Sequence, residues 1–249
     1  MQTGEWIDRH RPVLLVIATL LAGAIVAAGW LVGRGIEHAR SYDRYVTVKG
    51  LAELDVTADR AVWPITFVAT ADELNAAQAI ITRDTDSVRR FLADHDLAGD
   101  EVELQDLNVT DQLAQAYRSG PVDSRYIIRQ TLVVRTDDVT AVRGATQDIG
   151  SLLSEGVVLG GERYQPGPSY LFTGLNEIKP EMIATATANA REGANQFAQD
   201  AGSPLGSIRR ANQGVFQILP GDGAHNLPEA SQVKKTVRAV VTLEYYLED

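Results

Sequence analysis

The chain has 249 residues, with 23 basic and 33 acidic side chains and a formal net charge of −10. At 45% hydrophobic and 22% charged residues it has a globular composition, neither collagenous nor disordered, and its acidity leaves no electrostatic footprint for a nucleic-acid backbone. It has no cysteine, which excludes disulfides, thiolate metal sites, iron–sulfur clusters and cysteine nucleophiles and is compatible with an oxidising compartment.

Residues 1–12 form a short tail. The run from Val13 to Val32 then holds 20 residues without a charge. At about 1.5 Å per residue such a helix spans roughly 30 Å, the depth of a bilayer core. A cleaved signal peptide would have a shorter apolar region, about 7–15 residues, closed by a small-x-small site. Here the exit is the bulky Trp30-Leu31-Val32, so the reading is an uncleaved transmembrane helix over 13–33. Arg9 and Arg11 precede it and Arg34, Arg40 and Arg44 follow, so the flanking charges do not orient it. Gly29 and Gly33 have the GxxxG spacing that lets two membrane helices approach, although their place at the very end of the span favours a chance match. Residues 34–44 are a polar juxtamembrane linker, and the remaining 45–249 form the folded domain.

That domain opens with a β-rich stretch from Tyr45. A second strand follows around Trp63–Val68, beginning at Pro64 or lying at an edge because proline cannot donate to a ladder. Leu74, Ala77, Ile81, Val88 and Leu92 recur at helical spacing, with Asp72 as N-cap and Gly99 as the stop. Val102 and Leu104 alternate, whereas Leu107 and Val109 continue on the opposite parity, which predicts a bulge near Gln105-Asp106. Another alternating strand starts at Tyr126. Asp138 caps a second helix with the stripe Val142, Ala145, Ile149 and Leu152, stopped by Gly156. Val157–Leu159 reads as a strand entering a Gly/Pro-rich stretch that is either a loop or an edge hairpin. A third helix has the nearly all-small face Ile183, Thr187, Ala190, Ala194, Phe197 and Ala201, ending at Gly202, and must sit close to what it covers. Two strands close the chain, at about 208–219 and 233–247. The last alternates Val233, Val237, Ala239, Val241, Leu243 and Tyr245 against Lys234, Thr236, Arg238, Thr242 and Glu244. The order β-β-α-β-β-α-β-α-β-β predicts an α+β fold, a mostly antiparallel sheet with helices on one face.

Chemical motifs are scarce. His10, His38, His95 and His225 have no second histidine at metal spacing; His95 ends the first predicted helix, where an imidazolium complements the carbonyls. There is no GxSxG, P-loop or strand-to-helix GxGxxG. The one SxxK match, Ser231 to Lys234, enters a strand and so points its ends to opposite faces. Asp100, Glu101, Glu103, Asp106 and Asp111 lack the glycine and closing glutamate of a calcium loop and read as solvated surface. No catalytic, cofactor or metal residue is assigned. Tyr164, Tyr170 and Phe172 cluster in the Gly/Pro stretch, either as a contact surface or packed back on the sheet.

Several segments together resemble the SIMPL-domain family, in particular a bacterial membrane-anchored branch. They are Val48-Lys49-Gly50-Leu51-Ala52-Glu53, Ala58-Asp59-Arg60-Ala61, Tyr126–Val134, Lys179-Pro180-Glu181-Met182, Ala190-Arg191-Glu192-Gly193-Ala194, Gln196-Phe197-Ala198, Gly206-Ser207-Ile208, Gln213-Gly214-Val215-Phe216, Val237–Val241 and Tyr245-Tyr246-Leu247. The resemblance implies a periplasmic or envelope protein. Some members assemble into ring- or channel-like oligomers, some are linked to oxidative-stress tolerance, and a eukaryotic branch is associated with a signalling kinase. It supplies no catalytic residues.

The combined expectation is a single-pass inner-membrane protein with its C-terminal domain in the periplasm, attached to the bilayer by one helix. It is expected to act as a non-enzymatic homo-oligomeric scaffold with an envelope or oxidative-stress role, with no cofactor and no nucleic-acid partner. The rival expectation is a periplasmic binding module that captures a partner protein or ligand through residues 160–175. A hydrolase using carboxylates distant in sequence is the third.

Overall fold

The computed structural model describes residues 19–34, 44–114, 123–160, 167–223 and 227–248. The N-terminal helix α1 covers 19–34 and is exposed along its length. Among the described residues no helix is long and apolar enough to cross a membrane; the first six residues of the predicted 13–33 span lie outside them.

The remainder is α+β. In chain order come β1 (Tyr45–Thr57), β2 (Arg60–Ala71), α2 (Leu74–Ala93), β3 (Val102–Asp111), β4 (Tyr126–Thr136), α3 (Val139–Asp148), α4 (Gly150–Ser154), β5 (Ser169–Leu171), α5 (Leu175–Asp200), β6 (Leu205–Gln213), β7 (Gln217–Pro220) and β8 (Lys234–Leu247). Two four-stranded antiparallel sheets replace the single predicted one. The first has the order β1-β8-β6, with β7 also paired to β8; the second has the order β3-β4-β2-β5. By contacts the chain divides into two units, 1–51 with 185–214 and 240–249, and 52–184 with 215–239; β1, α5 and β8 each contribute to both.

In the larger unit, β2 and β4 pair along their length from Ala61↔Thr136 to Ala71↔Tyr126, with α2 packed over both. Alternation delivers Trp63, Ile65 and Phe67 of β2 and Ile128, Leu132 and Val134 of β4 into one core, closed by Ile81, Val88 and Leu92 of α2 and Val142 and Ala145 of α3. The expected bulge is present, as a register shift between Leu104 and Asp106 of β3. Asp138 caps α3, its Oδ1 accepting from the Ala141 amide at 2.9 Å.

In the smaller unit, α5 buries the small residues Ala186, Ala190, Ala194 and Ala198; of the expected face only Ala190 and Ala194 belong to this stripe, and Phe197 is 58% exposed. Opposite lies Gly50 of β1. A Cβ there would sit 1.8 Å from the Ala186 carbonyl oxygen and 2.7 Å from the Ala190 amide nitrogen, so only glycine allows this approach.

Several local expectations are corrected. The N-cap of α2 is Glu73, without a side-chain bond, rather than Asp72. The same helix ends at Ala93, and Asp96 takes the left-handed turn (φ 61°) while Gly99 opens a 3-10 turn. The second helix is broken at Ile149 into α3 and α4. Residues 157–159 make an isolated Phe67↔Leu159 bridge, and the short β5 follows. The expected 208–219 strand is two, because Gly214 is drawn against Val240, its amide donating to that carbonyl at 2.9 Å.

Candidate functional site

The sequence singles out five residues as contact surfaces. Tyr164 lies outside the described residues. Tyr170 is 6% exposed and belongs to the core, where burial raises its phenol pKa, so it packs back on the sheet. Phe172 is half-buried, its ring 3.2 Å from the place a Cβ on Gly174 would occupy. Gly29 and Gly33 are exposed on α1, with no atom near the position of an added Cβ.

The Gly/Pro stretch ends in an anchor rather than a free loop. The Asp59 carboxylate, from the turn between β1 and β2, accepts from the Thr173 amide at 2.8 Å, the Thr173 hydroxyl at 3.1 Å and the Gly174 amide at 3.1 Å. These donors immediately precede the first turn of α5, where free N–H groups and the helix dipole favour a negative charge. The next residue, Arg60, donates to Asp137 at 2.8 Å, which raises its pKa. The Ala58-Asp59-Arg60-Ala61 segment is thus a structural joint.

Three acids of the acidic stretch are held by side-chain partners. Glu103 accepts from Arg135 at 2.6 Å, Glu101 from the Thr136 hydroxyl at 2.6 Å, and Asp111 from Arg125 at 2.9 Å. The Arg125 bond holds the Asp111 carboxyl below the usual carboxylate range. Among the described residues no group of three or more His, Asp or Glu side chains could hold a metal ion.

An open cleft of about 470 Å³ lies in the larger unit. Leu219, Pro220 and Leu227 wall it, and Glu53, Thr236 and Arg238 form its floor. The floor charges satisfy one another: Arg238 Nε donates to Glu53 at 2.6 Å, and the Thr236 hydroxyl donates to Asp55 at 2.8 Å. Next to it in sequence, Lys235 has a fully buried side chain whose Nζ donates to the Glu229 carbonyl at 2.9 Å and to the Glu229 carboxylate. The sequence reading passed over this lysine. Its odd parity, shared with Val233 and Val237, was the available signal that it faces inward.

The feature that sequence reading missed entirely is the free edge of the second sheet. Directly opposed residues of an antiparallel pair share a face. Leu104, Leu107 and Val109 of β3 oppose Leu132, Gln130 and Ile128 of β4, all buried. The β3 side chains therefore point to the core side, yet they are 43%, 59% and 49% exposed, and Leu113 just beyond is 52% exposed. The terminal position of β3 in the order β3-β4-β2-β5 is the cause: among the described residues one side of its backbone has no strand beside it, and α2 packs over β2 and β4. The bulge keeps this apolar row on one face by shifting the parity after Leu104, and beside it Gln130 Nε2 donates to the Asp106 carbonyl at 2.7 Å. The arrangement can pair with another strand.

No curated protein matches the chain. The family model that matches is SIMPL, described as a protein of unknown function (DUF541), and it covers residues 46–245. That span takes in every strand and helix from β1 to β8 except their outermost residues, so the chain belongs to the SIMPL family.

Proposed function

We propose that this protein is a membrane-anchored envelope component whose SIMPL domain works without catalysis, as a self-assembling scaffold. The carrying observation is the free β3 edge with Leu104, Leu107 and Val109 exposed in a row, since an unprotected apolar edge strand is a template for pairing with another chain. The anchor reading is supported by the uncharged run from Val13 to Val32 and by Trp30 at its end, with the Arg34 guanidinium 4.2 Å above its ring, an arrangement suited to the interfacial aromatic belt. In this reading the helix spans the inner membrane, the domain lies in the periplasm, and the assembly serves envelope or oxidative-stress tolerance. Light scattering of the detergent-solubilised full chain tests it. The expected protein mass is a uniform multiple of 27.0 kDa; a monodisperse monomer at micromolar concentration overturns the scaffold.

A further inference from the structure

We infer that the partner of the β3 edge is the β3 of a second copy, paired antiparallel about a two-fold axis at Asn108. This rests on the self-association proposed above and specifies the surface that makes it.

The argument is one of register. For two identical antiparallel strands related by a two-fold axis, residues i and j face each other when their numbers have a fixed sum. In a regular strand the free N–H and C=O groups on the outer side belong to every second residue, so opposed residues must share parity and only even sums are allowed. Four axes then compete along the regular part of β3, at Asp106, Leu107, Asn108 and Val109.

An axis at Asp106 sets that carboxylate against its own copy, a like-charge pair that destabilises. An axis at Leu107 pairs the two leucines, but it sets Val109 against Gln105, the extra residue of the bulge, so regular pairing is confined to Asp106–Asn108. An axis at Val109 sets Leu107 against Asp111. With the axis at Asn108, Leu107 faces Val109 of the second copy, and Val109 faces its Leu107. Asp106 then faces Thr110, so Asp106–Thr110 pair throughout within the regular stretch and no two carboxylates oppose each other there. Of the four, this register sets both Leu107 and Val109 against apolar partners and Asp106 against a hydroxyl. The exposed Leu107 and Val109 of the two copies then close into one apolar patch on the core side of a continuous eight-stranded sheet.

The absence of cysteine makes the register directly readable in the full chain in detergent, under mild oxidation. Asn108→Cys places the two new thiols on the axis, with Cα atoms about 4.5–5.5 Å apart, inside the range that a disulfide bridges. Asp106→Cys places them four residues out of register, about 14 Å apart, outside that range. The expected result is a covalent dimer from Asn108→Cys, at least about ten-fold more than from Asp106→Cys. Leu107→Asp, a change at an exposed position, is expected to halve the mass of the assembly without altering the circular dichroism of the fold. Equal cross-linking of the two cysteine variants overturns the inference. So does an assembled protein in which Asn108→Cys fails to cross-link and Leu107→Asp leaves the mass unchanged; the scaffold reading then survives on another surface. A monomeric native chain removes both.

Discussion

Adding one methyl group at Gly50 probes the contact that brings α5 onto its strand. In Gly50→Ala the new carbon would lie 1.8 Å from the Ala186 carbonyl oxygen, 2.7 Å from the Ala190 amide nitrogen and 2.8 Å from the Ala190 methyl. Reaching an ordinary separation of about 3.5 Å requires the helix backbone to retreat by about 1.7 Å. The two nearest atoms belong to the backbone, so no rotamer change relieves them. A retreat also opens the buried row Ala186, Ala190, Ala194 and Ala198, and a gap of about 1 Å forfeits up to half of each contact there. Overpacking of this kind costs about 3 kcal/mol or more, partly offset by about 0.4–1 kcal/mol from the less flexible unfolded chain. At about 2–4 °C per kcal/mol for a domain of this size, the midpoint of thermal unfolding is expected to fall by about 5–10 °C. Circular-dichroism melting of the full chain measures it. A second substitution separates this reasoning from simple crowding. Ala190→Gly removes only the methyl contact and leaves both backbone clashes, so Gly50→Ala/Ala190→Gly is expected to recover little of the loss. A midpoint within about 1 °C of native for Gly50→Ala, or full recovery in the double variant, refutes the argument.

His95 makes a pH-dependent link. Its Nδ1 lies 2.9 Å from the Phe91 carbonyl and its Nε2 3.1 Å from Asp148, so only the imidazolium donates to both, and these partners raise its pKa from 6.5. Its stabilisation is full below that unfolded value and fades as pH rises through the folded one; native minus His95→Asn stability should be about 0.5–1 kcal/mol larger at pH 5 than at pH 9, and a constant difference in urea titrations would falsify the link. Asp59→Ala strips the acceptor from the Thr173 and Gly174 donors and is expected to cost about 1–3 kcal/mol, read as a lower urea midpoint with unchanged slope. Glu229→Ala leaves the buried Lys235 ammonium without its carboxylate and is expected to cost about 3–5 kcal/mol, whereas Lys235→Met removes the charge while filling the space and should cost about 1 kcal/mol or less; equal losses by chemical denaturation contradict the pairing.

What could be read from the sequence was what is decided within a few residues. Asp138 capping Ala141, the bulge beside Gln105, and the left-handed glycines at 156 and 202 each depend on a local backbone choice, and each is found in the fold. The α2 start shows the limit of such signals, since Asp72 and Glu73 are both acidic and the cap position fell to the one whose side chain makes no bond. Two sheets in place of one escaped prediction because strand pairing joins residues far apart: Val62 lies beside Ser169, and Ala58 donates to Val233. The reason for Gly50 is the Ala186 carbonyl, which lies on an element far away in sequence. Lys235 was within reach, since a period of two assigns every residue a face, charged ones included.

The β3 edge marks the deeper limit. Period-two alternation tells which face a side chain occupies; it does not tell whether the strand has a neighbour on each side. Leu107 and Val109 read the same in a central strand as at a rim, and the acids around them read as surface in either place. The residues that carry the family resemblance divide in the same way. Gly50 admits α5, Asp59 holds its start, and Ala190 and Ala194 line its buried face, so these positions specify how the domain packs. A match built on such residues identifies a fold, while activity has to be argued from the surface. On that surface the floor charges of the cleft are paired with each other, and the acids Glu103 and Asp111 are held by Arg135 and Arg125. At the β3 edge, by contrast, the described residues leave the apolar row Leu104, Leu107 and Val109 exposed, and it is on this row that the proposed pairing at Asn108 rests.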